Sequence, residues 1–207
     1  MQYLYTFIIS FIFIFLAELG DKTQILVLSF SAKNKSTNIL LGVALGTLFS
    51  HGLAIVFGSH VSIISNDNFI YYLKFITYCT FLLFGIIGFI KSKKETSAKS
   101  LCDSKSKSFI VKFLSSLTQN CIFIVASSIA IGELGDKTFL ASIGLGIEYP
   151  LYKLSLICGS ICGMVASNSI AIFLGKWLNS KISTSTIEYL SNIIFILFGL
   201  IGILAKQ

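Results

Sequence analysis

The chain contains the hexapeptide Glu18-Leu19-Gly20-Asp21-Lys22-Thr23 and repeats it letter for letter as Glu133-Leu134-Gly135-Asp136-Lys137-Thr138. Each copy lies near the middle of an otherwise uncharged apolar segment that is long enough to cross a membrane. A charged side chain at the centre of a membrane helix costs about 2.5–3.5 kcal/mol on insertion scales, so charges at this depth are usually functional. Two matching sets of such charges indicate ion handling.

The composition is that of an integral membrane protein. The 207 residues have a mean hydropathy of +0.86 and are 55% hydrophobic, which excludes an ordinary soluble domain. Apolar segments of about 20 residues cross the hydrocarbon layer as helices, because the backbone must satisfy its own hydrogen bonds in lipid. The sequence predicts an all-α membrane protein with six transmembrane helices. These cover residues 3–31, 39–60, 69–90, 119–147, 154–175 and 187–205.

Residues 91–112 form a basic segment rich in serine and lysine, with seven of the sixteen lysines, and are predicted to be a flexible linker. In a six-span chain the linker side carries eleven lysines and the opposite side three. The positive-inside rule then places the linker on the cytoplasmic side, or its organelle equivalent, and both termini on the other side. The basic charge is therefore a topology signal and does not indicate nucleic-acid binding.

The second half of the chain repeats the first. The hexapeptides are 115 residues apart, Gly46 matches Gly163 at an offset of 117, and Gly85 matches Gly199 at 114. A duplicated unit of three spans enters the membrane in opposite orientations, so residues 1–90 and 113–207 are predicted to form two inverted three-helix repeats. Transporters of this kind bind substrate near the midplane, where the repeats meet. The two hexapeptides should therefore face each other.

The hexapeptides offer oxygen donors and no sulfur or imidazole. Glutamate and aspartate three residues apart lie on one face of a helix, and a threonine follows in each copy. Such donors favour Ca²⁺, Mn²⁺ or Mg²⁺ over soft metals. The candidate metal ligands are Glu18, Asp21, Thr23, Glu133, Asp136 and Thr138.

Other residues have candidate supporting roles. Gly20 and Gly135 are predicted to break the helices, and Lys22 and Lys137 are predicted to pair with the acids or to gate the site. No resident cofactor is expected, since the metal ion is the substrate. The polar residues that are candidates for lining the pathway are Gln24, Ser50, His51, Ser167 and Asn168.

Charge counting links the metal ion to protons. Four carboxylates and two lysines leave a charge of −2 when all are ionised, and one divalent cation or two protons would cancel it. The sequence therefore predicts exchange of a divalent cation for protons. Three alternatives stay open at this point: an exporter of small organic cations such as lysine, a membrane lipid-phosphate phosphatase, and a non-transporting subunit or scaffold.

The duplicated hexapeptide resembles the signature of the Gdt family, Glu-x-Gly-Asp-Lys/Arg-Thr/Ser, and both copies match it at every position. The family includes Golgi, plastid and bacterial transporters of manganese and calcium. The resemblance implies a non-enzymatic Mn²⁺ or Ca²⁺ transporter that works against protons. The residues that it implies as ligands are Glu18, Asp21, Glu133 and Asp136. It also implies a bacterial plasma membrane or a plastid or thylakoid membrane as the location.

Overall fold

The computed structural model describes residues 1–19, 21–31, 34–94, 120–181 and 184–204. All regular elements in these ranges are helical, and none is a strand, so the all-α prediction is confirmed for them. The helices are α1 (Gln2–Glu18), α2 (Lys22–Ser31), α3 (Ser36–Ile64), α4 (Asp67–Lys94), α5 (Cys121–Glu133), α6 (Lys137–Glu148), α7 (Lys153–Lys181) and α8 (Thr184–Leu204). A 3₁₀ turn, Pro150–Tyr152, precedes α7. Gly20 and most of the predicted linker lie outside the described residues, so the division into domains stays a prediction.

Three helical segments within the described ranges are long and apolar enough to cross a membrane: Ser36–Ile64, Asn68–Ile90 and Pro150–Phe173. Shorter apolar helices cover Gln2–Glu18, Cys121–Glu133 and Phe195–Leu204. Two of these are short because each hexapeptide interrupts its span: α1 gives way to α2, and α5 gives way to α6. The predicted spans 3–31 and 119–147 are therefore each built from two helices, and the total of six spans stays a prediction.

The two interruptions have the same local backbone. Leu19 follows α1 with φ −62° and ψ 121°, and Leu134 follows α5 with φ −60° and ψ 118°. Gly135 then adopts φ +81°, in the left-handed region where glycine is not strained by a Cβ. The leucine that follows each helix thus has the same backbone conformation in both copies.

Helices from the two halves pack against each other through glycines. The main partners are α1 with α7, α3 with α5 and α6, and α4 with α8. A Cβ atom at Gly46 of α3 would lie 2.6 Å from the Ala126 carbonyl oxygen of α5, and one at Gly163 of α7 would lie 2.7 Å from the Phe11 carbonyl oxygen of α1. In the alignment of the two repeats, Gly46 matches Gly163 and Phe11 matches Ala126. The two contacts are therefore equivalent.

The contact between α4 and α8 is reciprocal in the same way. A Cβ atom at Gly85 would lie 2.9 Å from the Asn192 carbonyl oxygen, and one at Gly199 would lie 2.9 Å from the Tyr78 carbonyl oxygen. Close approach of small residues is how helices associate in lipid, where the hydrophobic effect does not hold them together. Each half therefore supplies a glycine to one contact and a carbonyl group to the other.

A cluster of aromatic side chains joins α1 to the α4–α8 pair. The ring of Phe13, which is fully buried, lies 4.5 Å from Phe198, 5.2 Å from Phe195 and 5.6 Å from Phe81 between centroids. The Phe198 and Phe195 contacts are edge-to-face, the arrangement that ring quadrupoles favour. This cluster fixes α1 five residues before Glu18, the end of the helix.

A buried seam of hydroxyl groups runs between α1 and α7. The Ser10 and Ser160 hydroxyl oxygens lie 2.8 Å apart. Both are within hydrogen-bond distance of the Leu156 carbonyl oxygen, Ser10 at 2.7 Å and Ser160 at 2.9 Å. The Thr6 hydroxyl donates to the Ser155 hydroxyl at 3.1 Å. At the corresponding positions of α5 and α3 the chain has Val125 and Val43, both buried. The seam therefore distinguishes one half of the protein from the other.

Candidate functional site

Three carboxylates from the two hexapeptides converge in the interior of the protein. Ligand atoms of Glu18, Asp21 and Glu133 all lie within 4.8 Å of one another. Glu18 and Glu133 are fully buried, and Asp21 is partly buried. A spacing of this size allows several carboxylates to share one cation. The site therefore has the geometry of a metal centre that draws ligands from both halves of the chain.

The helix interruptions position these groups. Glu18 is the last residue of α1, and Glu133 is the last residue of α5, so the negative ends of both helix dipoles point into the site. The Asp21 amide donates to the Glu18 carbonyl oxygen at 3.2 Å, and the Asp136 amide donates to the Glu133 carbonyl oxygen at 3.1 Å. These matching turns hold each glutamate at the point where the chain leaves the helix.

Threonine hydroxyls orient both glutamates. The Thr23 hydroxyl donates to Glu18 Oε2 at 3.1 Å, and the Thr138 hydroxyl donates to Glu133 Oε2 at 3.1 Å. Both threonines are buried, and each is the final residue of its hexapeptide. The other oxygen of Glu18, Oε1, is buried and makes no hydrogen bond within the described part of the chain. A buried carboxylate oxygen that accepts no hydrogen bond is energetically unfavourable, because its negative charge has lost water and gained no partner. A bound cation or proton would stabilise it.

His51 of α3 lies beside Glu133 and is fully buried. Its Nδ1 atom is 2.8 Å from the Ser142 hydroxyl of α6, and its Nε2 atom is 3.9 Å from Glu133 Oε2. The second distance is too long for a hydrogen bond. Helix α3 therefore brings a nitrogen atom to the site, next to the oxygen donors of α5.

The remaining predicted pathway residues lie on α2, α3 and α7. Gln24 donates from Nε2 to the Ser167 hydroxyl at 2.7 Å and to the Ser167 carbonyl oxygen at 3.2 Å, linking α2 to α7. Ser50 and Asn168 are buried and donate to carbonyl groups of their own helices, those of Gly46 and Met164. Of these residues, Gln24 and Ser167 form a contact between the two halves.

Asp136 and Lys137 of the second hexapeptide differ in their surroundings from the three clustered carboxylates. Asp136 directly precedes α6 and, among the residues that the structure describes, is not a member of the three-carboxylate group. The Lys137 ammonium lies 5.7 Å from the centroid of the Phe195 ring, in a cation–π arrangement. The Lys22 side chain and Gly20 lie outside what the structure describes. Identical hexapeptides thus have unequal surroundings.

Ser142 belongs to the site, although the sequence did not single it out. Its hydroxyl contacts His51, and it lies one helical turn after Thr138 on α6. The spacing Thr138–Ser142 puts two polar residues on one face of an otherwise apolar helix. This spacing could have suggested from the sequence that Ser142 faces the site. Serine is common in membrane helices, however, so the spacing alone does not predict a contact with His51.

The chain resembles a known protein family over most of its length. The family described as "Divalent cation/proton antiporter GDT1" matches residues 6–96 and 121–207. A Vibrio cholerae protein named "Putative manganese exporter" is 28% identical over 193 residues, which cover 93% of this chain and 87% of that protein. The match thus extends across both halves and both hexapeptides.

Photosynthetic organisms have relatives as well. The chloroplastic protein PAM71 of Arabidopsis thaliana is 22% identical over 94% of this chain and 55% of its own length, so this chain spans about half of that protein. A GDT1-like protein of Synechocystis is 24% identical over 95% of each chain. No solved structure matches the chain.

The family match covers most of the chain and confirms the resemblance carried by the two hexapeptides. It also removes the phosphatase alternative, because members of the family are transporters. The chain belongs to the GDT1 family of divalent cation/proton antiporters, and it is a membrane transporter of cations rather than an enzyme.

Proposed function

We propose that this protein exchanges Mn²⁺, Ca²⁺ or both for protons, with Glu18, Asp21 and Glu133 as the central ligands. The observation that carries the proposal is the convergence of these three carboxylates within 4.8 Å, two of them fully buried. All three offer hard oxygen donors, which suit Ca²⁺ and Mn²⁺. The name of the Vibrio relative adds support for manganese.

Electrostatics links the cation to protons. Three ionised carboxylates at this spacing carry a charge of −3 in a largely buried site. Their mutual repulsion destabilises the fully ionised site when no positive charge is bound. A divalent cation relieves the repulsion, and so do protons on the same oxygens. The two kinds of positive charge therefore compete for one site, and this competition is the physical basis of exchange.

We assign six spans to the chain as two inverted three-helix repeats, with both termini on the side opposite the basic linker. The reciprocal glycine contacts support this assignment, because each contact in one half has its counterpart in the other. The interrupted spans supply the discontinuous helices that secondary transporters use to bind ions near the midplane. Rocking of one repeat against the other would then expose the site to each side of the membrane in turn.

The other hexapeptide residues have proposed supporting roles. Thr23 and Thr138 orient the glutamates, and Asp136 is held near the site as a fourth carboxylate that could join the ligand set when the helices move. Lys22 and Lys137 supply balancing positive charge. Gly20 and Gly135 permit the interruptions, and Gly135 has a positive φ.

Metal flux with simultaneous pH recording in proteoliposomes tests the proposal. We expect Mn²⁺ or Ca²⁺ added outside to enter the vesicles while the pH inside rises, and an imposed opposing pH gradient to slow entry. Metal flux without any pH change would contradict the proton half of the proposal. Inhibition of Mn²⁺ entry by free lysine would instead support the organic-cation alternative.

Replacing Thr138 with Val should weaken metal binding while all the carboxylates stay in place. The substitution keeps the volume and shape of the side chain but removes the hydroxyl that donates to Glu133 Oε2. Losing such an orienting partner typically costs 10–100-fold in metal affinity, so we expect the half-saturating Mn²⁺ concentration to rise by about tenfold or more. The measurement is initial Mn²⁺ flux against Mn²⁺ concentration.

Thr138→Ser is the matched control, since it keeps the hydroxyl, and its half-saturating concentration should stay within about threefold of the unmodified protein's. Thr23→Val should behave like Thr138→Val, because Thr23 makes the same contact with Glu18. An unchanged concentration dependence in both Val variants would show that these hydroxyls do not orient the ligands.

A further inference from the structure

We propose that His51 is a further ligand of the transported ion, binding through Nε2, and that this nitrogen makes the site prefer Mn²⁺ to Ca²⁺. The inference rests on the proposed function and adds to it a residue outside the hexapeptides. It also names the class of ion, a divalent transition metal.

The position of Nε2 is that of a ligand. His51 is fully buried, and its Nε2 atom makes no hydrogen bond with any residue that the structure describes. The Glu133 Oε2 atom lies 3.9 Å away. Two atoms that each lie about 2.0–2.3 Å from a shared ion are about 3–4.5 Å apart, so the separation suits two ligands of one metal. A buried ring nitrogen without a partner needs such an explanation.

The Nδ1 atom has the partner that a metal-binding histidine usually has. Ligating histidines almost always direct the other ring nitrogen at an oxygen atom, which fixes the tautomer and the ring orientation. Here that oxygen is the Ser142 hydroxyl, 2.8 Å from Nδ1. When Nδ1–H donates a hydrogen bond to the Ser142 hydroxyl oxygen, Nε2 carries no hydrogen, so its lone pair can bind a metal ion. Helices α3 and α6 therefore aim the ring at the site.

Only one half of the chain carries this arrangement. The repeat offsets carry His51 onto Asn168 and Val27 onto Ser142, so the second half has an amide in place of the imidazole, and the first half has an apolar residue in place of the hydroxyl. Asn168 donates instead to the Met164 carbonyl oxygen at 2.9 Å. The pair His51–Ser142 thus adds one nitrogen donor to an otherwise oxygen-rich site.

The nitrogen donor has a consequence for selectivity. Ca²⁺ takes oxygen ligands, whereas first-row transition metals also accept imidazole nitrogen. A site made of carboxylates alone serves Mn²⁺ and Ca²⁺ alike, so cavity size would have to distinguish them. A single imidazole in the ligand shell favours Mn²⁺ through the chemistry of the donor.

Pulsed electron paramagnetic resonance of bound Mn²⁺ tests the proposal directly. Electron spin-echo modulation detects ¹⁴N nuclei coordinated to Mn²⁺, and the chain has two histidines, His51 and His60. We expect the full-length protein in detergent with one equivalent of Mn²⁺ to show imidazole ¹⁴N modulation. The modulation should be absent in His51→Asn, which introduces the residue of the matching position. It should persist in His60→Gln, because His60 is exposed at the far end of α3.

Competition binding supplies the second readout. In His51→Asn we expect Mn²⁺ affinity to fall by about 10–100-fold and Ca²⁺ affinity to change by less than about threefold. Ser142→Val introduces the residue found at the matching position of the first half, Val27. It should also weaken Mn²⁺ binding and leave Ca²⁺ binding nearly unchanged.

Three results would overturn the proposal. Bound Mn²⁺ without imidazole modulation in the unmodified protein would show that His51 is not a ligand and would leave the carboxylate site standing. Equal losses of Mn²⁺ and Ca²⁺ affinity in His51→Asn would show that the nitrogen does not select the ion. Failure of the unmodified protein to bind Mn²⁺ at all would overturn the proposed function as well. Because the unmodified protein decides the first and third results, they do not depend on the folding of a variant.

Discussion

Glu18→Gln and Glu133→Gln are each expected to abolish metal transport while the protein still inserts and folds. Each substitution keeps the size of the side chain and removes one negative charge from a fully buried site. The amide also turns one ligand oxygen into a nitrogen that carries hydrogens and repels a cation. Loss of a residue that only orients a ligand lowers metal affinity by about 10–100-fold. Loss of a ligand itself should have a larger effect, so we expect Mn²⁺ flux to fall by more than about 100-fold.

Glu148→Gln is the matched control for these variants. Glu148 ends α6 and contacts Lys74 at 3.2 Å and the Tyr78 hydroxyl, away from the carboxylate cluster. This ion pair is partly exposed, so its loss should be small, and flux should stay within about twofold. Size-exclusion chromatography of all three variants checks folding. Normal Mn²⁺ flux in both Glu18→Gln and Glu133→Gln would refute a site shared by the two halves.

Gly46→Ala and Gly163→Ala are expected to destabilise the protein although alanine favours helices. The new Cβ atom would lie 2.6 Å from the Ala126 carbonyl oxygen in the first variant and 2.7 Å from the Phe11 carbonyl oxygen in the second. Neither backbone oxygen can rotate away, so the helices must separate. Overpacking of this kind typically costs about 1–3 kcal/mol, and more where the backbone itself is displaced.

Gly52→Ala on the same helix, α3, provides a control with the expected opposite sign. Among the described residues its Cβ atom would meet only Leu48 Cδ1, at 3.7 Å, which is ordinary contact. Since alanine is better than glycine in a helix by about 1 kcal/mol, this variant should be neutral or more stable. Heating each purified protein in detergent and measuring the fraction that stays monodisperse distinguishes the two outcomes. Equal stability of Gly46→Ala and Gly52→Ala would show that α3 and α5 are not in close contact.

The sequence predicted the helical class, the family and the meeting of the two hexapeptides because each depends on a strong pattern. Charged residues in apolar segments must be neutralised inside the protein, and the duplication indicated where their partner lay. Glu18 and Glu133 follow from this reasoning alone. The family match then confirmed the resemblance that the duplicated hexapeptide carried.

The sequence did not predict how unequal the two halves are. Identical hexapeptides suggested four equivalent carboxylates, yet Asp21 joins the described cluster and Asp136 stands outside it. The contact of His51 with Ser142 depends on the rotation of α3 against α6, which the packing of many apolar side chains decides. Periodicity and motif spacing carry no information on that rotation. The interruptions also turned two predicted spans into four short helices.

The hydroxyl seam between α1 and α7 has a consequence for the resting protein. On the proposed inverted architecture, two identical halves would make the inward-open and outward-open forms equal in free energy. Hydrogen bonds between membrane helices are worth about 0.6 kcal/mol on average, and up to about 2. Ser10 and Ser160 add such bonds where Val125 and Val43 have none. If transport separates α1 from α7 in one form and α3 from α5 in the other, the form that keeps α1 against α7 would be favoured. A bias of about 1 kcal/mol would give a roughly fivefold excess of that form, so the unloaded carrier would be open mainly to one side of its membrane.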